Sequence, residues 1–158
     1  MCSPAADLVD VEHWHVAALL ADLREADRLE LESIRGWTAE QELKHAISTA
    51  SKARTCMCDG KVLAIFGDSA HDATYGLPWM VSSTWIETHR RAFLAECVDV
   101  VADMRTRHQV LINFADIRNT QAVRWLKWLG FTFLPAIPYG INNEPFYPFQ
   151  MEGTACAQ

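Results

Sequence analysis

Asn119 to Phe133 reads NTQAVRWLKWLGFTF, and this stretch decides the fold. Its spacing predicts a helix with both ends marked, followed at once by a strand. Asn119 is a good N-cap, because its side-chain oxygen can accept from the free amides of the first turn. Ala122, Trp125, Leu126 and Leu129 fall at i, i+3, i+4 and i+7 and form one apolar stripe, with Arg124 outside it. Leu126 is therefore expected against a sheet and Arg124 in solvent. Gly130 follows the last periodic residue, where a left-handed backbone favours glycine. Phe131 and Phe133 alternate with Thr132 in strand fashion. A helix of this kind packs by one face and leaves its N-terminus free to meet something.

The rest of the chain falls into elements on either side of this helix. Upstream of it, Val110, Leu111 and Ile112 form a buried strand. Before that strand, Thr84 and Glu87 make a capping-box pattern at the head of a helix that runs to about Met104. Tyr75 to Ser83 holds a strand in which Pro78 implies an irregularity or an unpaired edge. Gly67 to Thr74 reads as a polar loop carrying Asp68, His71 and Asp72. Ala53 to Cys58 and Lys61 to Phe66 are strands joined by Asp59-Gly60, a tight-hairpin signal. Val62 to Phe66 is a continuous apolar run, as in a strand buried on both faces.

Nearer the start, Thr38 and Gln41 form another capping box, and Leu43, Ala46, Ile47 and Ala50 supply the stripe behind it. Val16, Leu19, Leu20 and Leu23 make an earlier helical stripe that continues, more charged, through Ala26 to Ser33 until Gly36. His13 and His15 face different ways on that helix and read as a solvated helix start. Leu8 to Val11 suits a short first strand. Downstream, Phe131 to Ile137 and Phe146 to Met151 form a hairpin around Gly140 to Asn143. The order β-α-α-β-β-β-α-β-α-β-β implies an α/β protein, a mixed central sheet with helices on both faces.

Residues 1–158 are expected to form one domain around one core. Hydrophobic content is 50% and charged content 22%, an ordinary globular balance. A net charge of -6 argues against general nucleic-acid binding, which needs a basic footprint. No apolar run approaches a membrane span, and the N-terminus lacks a basic segment followed by an apolar one, which predicts a soluble, cytoplasmic protein. The cysteines Cys2, Cys56, Cys58, Cys97 and Cys156 are odd in number and without framework spacing, which suggests reduced thiols. Cys56 and Cys58 share a strand face, but without a second pair no metal site is expected there.

The helix-opening Asn119, Ala122 three residues on, and Gly130-Phe131 at its close resemble the C-terminal signature of the GCN5-related N-acetyltransferases. The element order agrees with that family over most of the chain. The resemblance implies acetyl-CoA as co-substrate and an amine acceptor, small molecule or protein. It implies a pantetheine arm against the strand edge near Met80, Val81 and Ser83, and a pyrophosphate between Thr84 and Arg91. Arg90 and Arg91 would supply charge there, and a backbone amide near Val81 an oxyanion contact.

This chain departs from the family's pattern in three places. Its SSTWIETHRRAF segment lacks the family's glycines, and no glycine stands between Gly76 and Gly130. The family's tyrosine acid position holds Leu126, and its glutamate base position holds Phe114. Asp116 at the mouth of the same strand is the expected substitute base, ahead of His71 and Asp72. Trp79-x-Val81-Ser82-Ser83, the basic helix after it, and Asn119-Thr120 with Arg124-Trp125-Leu126-Lys127 also resemble an acetyltransferase-like family of short-tailed phages, which includes the internal virion protein A of coliphages. That resemblance implies a phage origin, a phage or host protein partner, and a fold that can persist without catalysis.

Overall fold

The computed structural model describes residues 5–155; Cys2 and Cys156 lie outside them. Strand β1 (Asp7–Asp10) leads into α1 (His13–Ala21), α2 (Glu25–Arg35) and α3 (Ala39–Thr49). Strands β2 (Lys52–Cys58), β3 (Lys61–Ala70) and β4 (Tyr75–Ser82) precede a 3-10 turn (Thr84–Thr88) and α4 (Arg90–Arg107). Then come β5 (Val110–Asp116), α5 (Thr120–Trp128), β6 (Thr132–Phe133), β7 (Ile137–Tyr139) and β8 (Glu144–Glu152). The strands form one sheet in the order β1-β2-β3-β4-β5-β8-β6, with β7 also paired to β8. Only β4 and β5 run parallel.

The sheet is buried on both faces. On one face Ala64 and Phe66 of β3 meet Phe93 and Met104 of α4 and Val123 and Trp125 of α5. On the other, Val62, Ile65 and Val81 meet Val16 and Leu19 of α1 and Leu43 of α3. A bulge lets Val62 and Ile65 share a face although they are three apart: Cys56 lies opposite Ala64 but Met57 opposite Val62, leaving Leu63 extra. Leu126 packs against the first cluster, and Arg124 is exposed.

Local signals held where the deciding groups were close in sequence. Thr38 accepts from Gln41 N, and the Gln41 side chain accepts from Thr38 N. Asp59 (φ 52) and Gly60 (φ 72) turn the β2–β3 hairpin, and Gly130 (φ 104) closes α5.

Five expectations give way to tertiary contacts. The first long helix divides into α1 and α2, because Leu23 bridges to Ser83 and Arg24 N donates to Ser82 O. The expected loop from Gly67 is strand as far as Ala70, since Gly67 to Ala70 pair with β4 and bury Asp68. Thr84 does not start a long helix: Ser83 Oγ accepts from Trp85 N, a 3-10 turn follows, and α4 begins at Arg90. The last hairpin is broken between β6 and β7, both of which still pair with β8. His15 is 1% exposed rather than solvated, its Nδ1 lying 2.9 Å from Thr55 Oγ1. Among the described residues, no helix is long and apolar enough to cross a membrane.

Candidate active site

The site begins with a proline. Ser83 N donates to Leu63 O across the β3–β4 ladder. Backbone groups alternate along a strand, so Gly76, Pro78, Met80 and Ser82 turn theirs the other way, toward β5. Gly76 finds Leu111, and beside it Tyr75 pairs with Val110. Pro78 has no N–H to continue the ladder, and the two strands part there.

Most of the exposed edge is already occupied. Asn113 Nδ2 donates to Pro78 O at 2.8 Å. Ser82 N and Oγ both donate to Asp27 Oδ2, at 2.8 and 2.5 Å, and Ser82 O accepts from Arg24 N at 3.2 Å. Met80, between them, presents its backbone to the gap. Val81 turns its amide to β3 and away from the gap.

A cavity of about 340 Å³ opens at this wedge. Met80, Val81, Phe114, Asn119 and Leu126 line it, as do Asp27 and Glu30 of α2 and Glu42 of α3. Trp79 lines it too, and its buried indole N–H has no partner among the described residues. Leu126 and Phe114, at the positions where the resemblance implies an acid and a base, are both on its wall.

The N-cap Asn119 has turned its side chain away from its own helix. Its Nδ2 donates to Asp27 Oδ1 at 2.9 Å and Glu30 Oε2 at 3.1 Å, and its Oδ1 accepts from Arg24 Nη2 at 3.4 Å. No side-chain cap bond remains at α5. A buried carboxylate and a half-buried one are stronger acceptors for the amide than solvent, and they outcompete the helix end.

Asp27, Glu42 and Asp116 each have a cation. Asp27 faces Arg24 at 3.2 Å and Glu42 faces Arg35 at 2.7 Å. Asp116 is held by Arg118 through both oxygens and through the Arg118 amide. Glu30 makes no ion pair among the described residues. It accepts only from neutral donors, Asn119 Nδ2 and Asp116 N, and both bonds go to Oε2. Burial first, then the charge of Asp27, pushes its carboxyl up to about 8, against the pull of those two bonds.

Among the residues expected from the sequence, Met80, Val81 and Asn119 converge on the cavity. Ser83 is buried with its Oγ on Val62 O at 2.6 Å, so it faces β3. Thr84, Arg90 and Arg91 are exposed on the 3-10 turn and the start of α4, with Arg90 paired to Glu87. Asp116 is buried but lies behind the wall, engaged by Arg118. His71 and Asp72 lie on the exposed β3–β4 turn, where Asp72 accepts from the Thr74 and Tyr75 amides.

Glu30 escaped the sequence reading. A signal for it exists: Asp27, Glu30, Leu31 and Ile34 fall at i, i+3, i+4 and i+7, two carboxylates sharing a face with two apolar residues. All four line the cavity.

Neither a family model nor a curated protein matches the chain. Solved structures do. A GCN5-related N-acetyltransferase from Kribbella flavida superposes with a TM-score of 0.67 at 16% identity, covering 94% of this chain and 98% of that one. Spermidine N-acetyltransferase from Vibrio cholerae, in complex with CoA and spermine, gives 0.68 at 10% identity over 94% and 96%. The ribosomal-protein-S18-alanine N-acetyltransferase from Escherichia coli gives 0.63 at 12% over 97% and 96%. At such identities the likeness is one of architecture, and the mixed sheet with helices on both faces agrees with it: this chain has the fold of the GCN5-related N-acetyltransferases.

Proposed function

We propose that the chain is an N-acyltransferase that moves an acetyl group from acetyl-CoA to a primary amine. The observation that carries this is Glu30, a carboxyl without a cation on the wall of the wedge cavity, raised to about 8. The residues fit the thioester end of the co-substrate. Met80 offers backbone groups at an open strand edge, and Trp79 offers an unpartnered N–H. Bound acetyl-CoA would supply an activated carbonyl for an amine lone pair to attack, the C–S bond breaking to release a CoA thiolate that solvent would protonate.

An amine arrives mostly as ammonium, so a proton must first be removed. Glu30 is suited to this, because a base titrating near the working pH both accepts and gives up a proton readily. Asn119 and the Asp116 amide hold Oε2, which leaves Oε1 to take the proton, directly or through one water. In this proposal Asp116 acts through its backbone, as a positioning residue. Two of the four carboxylates on the wall, Asp27 and Glu42, are paired with arginine, so ionised Glu30 and Glu96 leave it negative. That balance favours a cationic acceptor over an anionic one.

Calorimetric titration with acetyl-CoA, followed by turnover on a panel of amines, tests the reading. Glu30→Gln should keep binding and lower kcat about a hundredfold or more. A second reading has its own observation: Asp27 and Arg24 already close the strand edge at Ser82, and Leu126 and Phe114 replace the family's acid and base. It makes the chain a catalytically inactive member of the fold, a phage virion or host-interaction protein. No binding at millimolar acetyl-CoA and no turnover would favour it.

A further inference from the structure

Away from the wedge, Cys58, Asp59 and His89 bring three ligand atoms of different chemistry within 4.8 Å of one another. Cys58 ends β2, and Asp59 is the first turn residue, its positive φ of 52° belonging to the tight hairpin. The turn sets the Asp59 carboxylate against His89, the N-cap of α4.

The histidine ring is oriented from behind. His89 Nδ1 lies 2.8 Å from the Trp85 carbonyl oxygen. A carbonyl only accepts, so Nδ1 carries the hydrogen and Nε2 of the neutral ring is a lone pair. That lone pair faces Asp59 Oδ2 at 3.2 Å. A proton on Nε2 would make this contact an ion pair; in the neutral ring it is two acceptors, which repel unless a cation lies between them. Zinc bonds to nitrogen and oxygen of about 2.0–2.1 Å at a tetrahedral angle set the two ligand atoms about 3.3 Å apart. A ring N–H donated to a backbone carbonyl, with the other nitrogen left for the metal, is also how ligating histidines are held.

We propose that Cys58 Sγ, Asp59 Oδ2 and His89 Nε2 form a binding site for one zinc-like divalent cation, with water completing four-coordination. Mixed sulfur, nitrogen and oxygen donors select a borderline metal such as Zn²⁺ over Mg²⁺ or Ca²⁺. The Asp59 side chain is 55% exposed and that of His89 15%, so the fourth position opens to solvent. The Cys58 thiol now donates to Ala5 O at 3.8 Å, and a divalent cation would bind the thiolate and release that proton to solvent. The ion would tie the β2–β3 turn to the start of α4. These ligands come from segments thirty residues apart, which is why neighbouring cysteines alone do not reveal the site.

The test titrates Co²⁺ and then Zn²⁺ into the full chain after chelator dialysis, read by absorption and calorimetry. One equivalent of Co²⁺ should give a near-ultraviolet sulfur-to-cobalt charge-transfer band that Zn²⁺ displaces. Cys58→Ser should abolish the band. Asp59→Asn, at an exposed turn position, should keep the fold and weaken binding about tenfold or more. The double variant Cys2→Ser/Cys156→Ser should keep both band and affinity. No uptake at millimolar Co²⁺, a band that survives Cys58→Ser, or one lost with Cys2 or Cys156 would each overturn the proposal.

Discussion

Replacing Glu30 by glutamine turns a titrating carboxyl into its neutral isostere, and it leaves an oxygen for Asn119 and the Asp116 amide to donate to. The parent carboxyl titrates at about 8 in the fold against an ordinary 4.5, because of burial and then the nearby charge of Asp27. Between these values the native state holds a proton that the unfolded chain has released. The stability due to that proton is fully present below the unfolded value and is lost as pH rises through the folded one. Linkage sets the slope at about 1.4 kcal/mol per pH unit and the whole at about 5 kcal/mol. Water reaching the carboxylate through the cavity lowers this, so a loss of about 2–3 kcal/mol relative to Glu30→Gln is expected from about pH 5 to pH 8. Urea unfolding of both proteins, followed by tryptophan fluorescence at steps across that range, measures it. Groups remote from Glu30 cancel in the difference. Curves that stay parallel to within about 0.5 kcal/mol would refute the argument, since Glu30 would then titrate as an ordinary carboxyl.

Two further outcomes rest on single contacts. Asp68→Asn removes the carboxylate that meets Arg107 and, at 2.6 Å, His108 Nε2 in the interior, and should destabilise by about 3–5 kcal/mol in urea unfolding; a change below about 1 kcal/mol would show that the cluster is not a buried ionic one. Gly140→Ala places a Cβ 2.1 Å from the Ser33 carbonyl oxygen at a φ of +77°, so a thermal melt should show a loss of about 2 kcal/mol or more, and an unchanged midpoint would mean the turn relaxes at no cost.

The legible parts of the sequence were those decided within a few residues. The Thr38–Gln41 box, the Asp59-Gly60 turn and the stripe of α5 each depend on neighbours the chain itself brings together. Pro78 likewise announced an unpaired edge, and the strands part beside it. The site was less legible because its polar groups are settled at long range. Asp27 and Glu30 sit on a helix dense in charge, a pattern that normally signals a solvated face. Only Asn119, more than eighty residues away, and the covering sheet show that both turn inward. Asn119 itself was placed correctly as a cap, while its side chain went elsewhere, because propensity locates the helix end without fixing what the side chain prefers to bond. His15 and Asp68 were hidden in the same way, each buried by partners about forty residues off.

The gap beside Pro78 has one more consequence. A free strand edge at the rim of a sheet is a template on which other chains can add, and proteins usually blunt it with charge or bulges. At Met80 the open edge lies in the interior of the sheet, with α2 and α3 residues lining one side of the gap and α4 and α5 residues the other. A second polypeptide strand, carrying side chains above and below its plane, would collide with those walls. A slender chain without side branches would not. The fold therefore keeps an unsatisfied hydrogen-bonding edge without an aggregation hazard, and selects by thickness what can lie along it.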